Sequence, residues 1–194
     1  NMGLPICMFA YGSQGLGVSA SITSLIILMH FTVGVFLADR KFNINVILKN
    51  PPFYAIIFSA LVLYYEIKMP VVVINTTEWL MYVTIFLILM SLGIALTRLK
   101  IISLNKALIS SFTRMFIGPL IGFILIWYFD LEGFAAGVLL IQCSMPSAVL
   151  NYLVGSIYSP KKVVDSVAST IVVSTLMSFV TVPIVVFFAL KYFS

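Results

Sequence analysis

The sequence predicts an all-α polytopic membrane protein. Of its 194 residues, 62% are hydrophobic and only 9% charged, against roughly 25% charged in a soluble domain, so the chain cannot cover itself against water. The apolar residues also come in runs near the ~20 residues a helix needs to cross hydrocarbon, and the short segments between them hold most of the charge. The net charge of +5 is therefore read loop by loop, and no nucleic-acid partner is expected. Cys7 and Cys143 are too few, and too apolar in context, for a disulfide framework or a metal cluster. No basic start with a small-residue cleavage site marks a signal peptide.

The first element is the stretch "NMGLP", which reads as the end of an interrupted helix. Because the chain opens there and not on Met, it is expected to be a piece of a longer protein. Spans then follow at 17–38, 52–67 (with 74 as its outer limit), 77–97, 107–129, 131–158 and 162–192. The second of these is short and bounded by Pro51, Pro52 and Pro70. The connections carry Arg40, Lys41 and Lys49, then Arg98, Lys100 and Lys106, then Lys161 and Lys162, which places eight of the eleven basic residues on one side. By the positive-inside rule that side is cytoplasmic and the C-terminus lies outside. Tyr64, Tyr65, Trp79, Tyr82, Trp127 and Tyr128 gather at the other face as an interfacial belt.

Two spans carry a breaker. Proline lacks an N–H and its ring collides with the carbonyl four residues earlier, so Pro146 frees the carbonyl of Gln142 and Pro5 that of Asn1. Each proline has a carboxamide four residues before it and a tyrosine six residues after it, Tyr11 and Tyr152. Five steps along the chain separate the two segments, an odd number, so they cross the membrane in opposite directions. Interrupted helices of opposite direction point to an inverted-repeat secondary transporter with its site near the midplane. A half-helix N-terminus offers free N–H groups and partial positive charge to an anion. Ser147, Ala148 and Val149 are placed to present such groups, and Asn151 to add a side-chain donor. The candidate substrate-binding residues are Asn1, Pro5, Gln142, Pro146, Ser147 and Asn151.

The motifs "NMGLPICMFAYG", "LMSLGIAL" at 89–96, Arg114 with Gly118 and Pro119, and "QCSMPSAVLNYLV" at 142–154 resemble, in that order, the auxin efflux carrier family of membrane transporters. The resemblance runs along essentially the whole chain. It implies a ten-span fold of two inverted five-span repeats with crossed broken helices at the substrate site, of which this chain holds about six and a half spans. On that map residues 1–38 end the first repeat, 39–50 form a cytoplasmic linker and 51–194 make the complete second repeat. The expected activity is alternating-access transport of a small organic anion such as a carboxylate, in a plasma membrane or a bacterial or archaeal inner membrane. A channel, or a sodium-coupled symporter of the related bile-acid-transporter type, is the alternative. No cofactor is called for; proton or sodium coupling and a homodimer are both compatible.

Two further residues are candidates for an anion or coupling role. Arg114 lies about seven residues into its span, roughly 10 Å deep, where a charge costs roughly 2.5–3.5 kcal/mol. It either snorkels to the headgroups, meets an anion, or clamps carbonyls freed at a break. His30, the single histidine, sits mid-span as a packed neutral ring or as a proton-coupling group. The pairs Gly118 and Gly122, and Gly133 and Gly137, read as close-approach patches between helices. Ser166, Thr170, Ser174, Ser178 and Thr181 share one sector of the last span, expected to face the broken span. An enzyme is disfavoured, since one histidine, two separated cysteines and no intramembrane carboxylate make no base–nucleophile set.

Overall fold

The computed structural model describes residues 2–39, 51–99 and 101–193; Asn1 and nearly all of the 39–50 linker lie outside them. The described residues are mostly helical, as expected of an all-α polytopic membrane protein, and no strand occurs among them. The helix α1 spans Gly3–Met29 and bends at Gly12, whose φ of 64° and ψ of −152° a residue with a Cβ would resist. A π-helical turn over His30–Gly34 and the short α2, Val35–Asp39, continue it. Then come α3 (Pro51–Tyr64), α4 (Val71–Arg98), α5 (Leu104–Tyr128), α6 (Gly133–Cys143), α7 (Val149–Tyr158) and α8 (Lys161–Tyr192). Four stretches, Gly3–Leu37, Val71–Ile94, Leu104–Tyr128 and Lys161–Tyr192, are long and apolar enough to cross a bilayer.

The structure moves two expected boundaries. Residues 71–74, the outer limit of the short second span, belong instead to α4. The Pro70 carbonyl accepts the first amides of that helix, from Val73 at 2.9 Å and Ile74 at 3.2 Å, and a proline without an N–H starts a helix more readily than it continues one. The α3 end is closed by a Schellman pair, Ile67 N–H to the Val62 carbonyl at 3.1 Å and Glu66 N–H to that of Leu63 at 3.3 Å, with Glu66 at φ 49°. Asp130, also at φ 49°, ends α5 the same way, with Leu131 N–H on the Ile126 carbonyl at 3.0 Å. The single span expected at 131–158 is α6 and α7 with the break between them.

The short helix α6 is the hub. It packs against α1, α5 and α8, and Val138, Leu140 and Ile141 are fully buried among Cys7, Ile126, Met145 and Val182. Glycines permit that packing: a Cβ on Gly118 would collide with the Cys143 carbonyl, and one on Gly137 with the Tyr11 ring. By contrast α4 is exposed along almost its whole length, half-burying one stripe of Met81, Ile85, Ile88, Leu92 and Leu96. On α8, Ser174 and Ser178 are buried with Ser169 and Thr175, while Leu176 and Phe179 are exposed; within the hydroxyl sector Ser174 meets the break at Ser147, whereas Thr181 meets Met115 on α5.

Candidate functional site

The helix α6 stops where Pro146 makes it stop. Proline cannot donate to the Gln142 carbonyl, and the residue before a proline is pushed away from helical backbone angles. The end is then tightly accounted for. Ser144 N–H donates to the Leu140 and Ile141 carbonyls at 3.2 and 3.1 Å, and Met145 N–H to the Gln142 carbonyl at 3.3 Å. The Gln142 carbonyl, expected to be free, is thus taken by a tightened last turn. The Met145 carbonyl instead projects from the break, and Arg114 Nε on α5 donates to it at 3.2 Å. On the far side of the break Ser147 N–H donates to Ser174 Oγ of α8 at 3.2 Å. That amide is therefore engaged within the protein, not offered to an anion. The amides of Val149 and Leu150, in the first turn of α7, have no partner within the helix by geometry.

The break opens on a cavity of about 130 Å³ lined by Arg114, Gln142, Pro146, Ser147, Asn151 and His30, among others. Six of the eight sequence-predicted residues are therefore brought together from α5, α6, the break, α7 and the π turn. Pro5 does not line the cavity; it is buried in the first turn of α1, where a missing N–H costs nothing. Its neighbours Met2 and Gly3 line it instead. Asn1 lies outside the described residues.

Gln142 and His30 are each engaged within the protein. Gln142 Nε2 donates to Ser19 Oγ, to the Ser19 carbonyl at 3.4 Å and to Thr23 Oγ1 at 3.3 Å, and its carboxamide lies directly against Gly3. Gln142 thus ties α6 to α1 across the crossing point. His30 Nδ1 lies 2.8 Å from the Ile26 carbonyl oxygen and Nε2 lies 2.7 Å from Asn151 Oδ1. Arg114 also borders an outer groove with Ile109, Thr113 and Ile117, so its guanidinium bridges the inner cavity and the surface of the bundle. Its planar fork keeps its terminal N–H groups for further acceptors while Nε holds the break.

Ser19, Thr23 and Thr175 were not singled out from the sequence. Gly15, Ser19 and Thr23 follow one another at four-residue spacing and all three are buried, a small-polar stripe on one helix face that carried the signal. The pairing of His30 with Asn151, 121 residues apart, leaves no local trace in sequence.

A family model described as membrane transport protein matches residues 36–186. An uncharacterized transporter from Methanocaldococcus jannaschii is 24% identical over 191 residues, covering 93% of this chain. The chain spans 61% of the length of that relative. No solved structure matches the chain.

Proposed function

We infer the function from one premise: the chain belongs to the membrane transport protein family, the auxin efflux carriers. It is a multi-pass membrane transporter, and its role is transport rather than catalysis. We propose that it is a secondary carrier for a small organic anion, with a carboxylate as the expected headgroup. In this reading residues 1–38 end one repeat and 51–194 form an inverted second one, and the site alternates between the two faces of a cell membrane.

One observation carries the reading. The cavity at the break is lined by a cationic residue, Arg114, together with Ala148, Val149 and Asn151 from the N-terminal turn of α7. Arginine suits a carboxylate because its planar fork matches two oxygens, and a helix N-terminus adds partial positive charge. No Asp or Glu lines the cavity among the described residues, so nothing there opposes an anion.

The test is counterflow in liposomes carrying the purified full-length protein. Propionate is the probe and propionamide, nearly isosteric but neutral, the control. Saturable exchange of propionate, not matched by propionamide, supports the carrier. Exchange of both alike removes the anion reading, and flux that does not saturate points to a channel.

A further inference from the structure

We propose that His30 and Asn151 form a proton-binding site whose occupancy sets which end of the Asn151 carboxamide faces the substrate cavity. The consequence for substrate rests on the anion reading above; the ring chemistry does not.

Nδ1 is the fixed end of the ring. Its neighbour at 2.8 Å is the Ile26 carbonyl oxygen, which can only accept, so Nδ1 carries a hydrogen in every state of the ring. Nε2, 2.7 Å from Asn151 Oδ1, is therefore the atom that gains or loses a proton, and in the structure it meets the oxygen end of the amide. A neutral ring presents a lone pair there, and only the amide NH2 can meet it. A charged ring presents an N–H, and only the amide oxygen can meet it. A half-turn about the last side-chain bond of Asn151 exchanges the two, and oxygen and nitrogen are close enough in size that nothing else must move.

Both residues line the cavity that Arg114 also borders, and on this proposal the amide atom not held by the ring is the one offered to it. With the ring neutral that atom is the oxygen, an acceptor set against an anion. With the ring charged it is the NH2, a donor, beside a second positive charge. Proton and anion then favour each other's binding, and by linkage each raises the other's affinity by the same factor.

The local backbone supports the site. His30 opens the π-helical turn His30–Gly34, and such turns are irregularities that recur at functional positions. Of the titratable groups on the elements packed around it, α7 carries Tyr152 and Tyr158, α1 carries Cys7 and Tyr11 toward its other end, and α2 ends at Asp39. From α5, Arg114 enters the same cavity. No carboxylate lines the cavity among the described residues.

The experiment uses the full-length protein labelled with 15N-histidine in lipid nanodiscs, with His30→Gln identifying the signals. Histidine changes charge between about pH 5 and 8, so the ring is followed across that range. The expected result is a neutral ring protonated on Nδ1 at high pH that gains a proton on Nε2 on acidification. Asn151→Asp, which can only accept, keeps Nε2 protonated even at the alkaline end. A neutral ring protonated on Nε2, or one unchanged over the range, overturns the site.

Propionate binding then reads the consequence. Wild type should bind at least about tenfold tighter at the acidic end of the window in which propionate stays ionised, the difference between an acceptor and a donor facing a charge. His30→Gln should bind it equally across that window, and a pH dependence retained in His30→Gln overturns the switch. Tight propionate binding without pH dependence in wild type also removes the switch and leaves the anion reading standing. Expected ring behaviour with no propionate binding at any pH removes the anion reading and leaves the proton site.

Discussion

Arg114 shows what a single residue discloses and what it withholds. A guanidinium some 10 Å inside a span stands out because hydrocarbon penalises it, so the residue was legible as a candidate from sequence alone. A clamp on a carbonyl freed at a break was one of its readings, but which carbonyl was not legible, because contacts between spans depend on packing that spacing along one chain does not encode. The structure gives Arg114 a positioning duty, Nε on the Met145 carbonyl at 3.2 Å, and leaves the rest of its fork for a ligand. Arg114→Ala removes a hydrogen bond from a charged donor, worth about 1.5–3 kcal/mol, and the cavity's cation with it. Propionate affinity should fall at least about tenfold, with a loss of thermal stability as the Met145 carbonyl is orphaned. Arg114→Lys retains the charge without the fork, and partial affinity is expected. Binding titrations and melting curves on both variants check this, and unaltered affinity in Arg114→Ala would restore the snorkelling alternative. Gln142 is the contrasting case: its carboxamide was read as a substrate ligand, yet its NH2 is spent on Ser19 and Thr23. Gln142→Ala should accordingly cost stability at the α1–α6 crossing more than it costs affinity.

At the scale of the element, a proline alone does not make a break. Pro119 and Pro183 sit inside α5 and α8, which continue through them, whereas Pro146 separates α6 from α7. The difference lies in what receives the exposed backbone: Arg114 takes the Met145 carbonyl and Ser174 Oγ takes the Ser147 amide. The sequence shows the proline but not these receivers, which is why the break was legible and its hydrogen bonds were not. The Gly12 bend escaped for a related reason, since the matched prolines drew the symmetry to Pro5, whereas the structure bends nine residues after α1 begins, at Gly12. The misjudged limit at 71–74 has a simpler cause: Val71–Ile74 is as apolar as the helix before it, and composition does not see a turn at Glu66. Pro146→Ala lifts a penalty of up to about 3 kcal/mol for a helix-interior proline while setting the ladder against two tertiary hydrogen bonds. Thermal stability should change little or rise, and propionate counterflow should drop at least about tenfold. Ser174→Ala should reduce stability by about 0.5–1.5 kcal/mol, the value of a neutral hydrogen bond, and loosen the break without removing Arg114. Transport at wild-type rates in a well-folded Pro146→Ala would reduce the break to a packing kink.

For the molecule as a whole, the bilayer is the solvent the sequence was written for. Trp127 and Phe179 are exposed on the bundle surface, a cost in water and none in lipid, and this is why span existence was legible from composition while span boundaries were not. Orientation follows from charge. The starts of α5 and α8 carry Lys106, Lys161 and Lys162, and the opposite ends of α3 and α5 close on Glu66 and Asp130. Lys and Arg resist translocation and hold their loops in the cytoplasm, whereas acidic residues contribute little to the choice. By that rule the two Schellman closures are expected on the outer face, with the aromatic side chains Tyr64, Tyr65, Trp127 and Tyr128 beside them. Single cysteines on a background without Cys7 and Cys143 test this directly in intact cells with an impermeant thiol reagent. Lys68→Cys, between α3 and α4, should react from outside. Ile101→Cys, between α4 and α5, should react only once the membrane is opened. The two sites are separated by one helix long enough to span, Val71–Ile94, so they must report opposite faces whatever the absolute orientation. Labelling of both from one side would therefore remove α4 as a span, and labelling of Ile101→Cys alone from outside would invert the assignment.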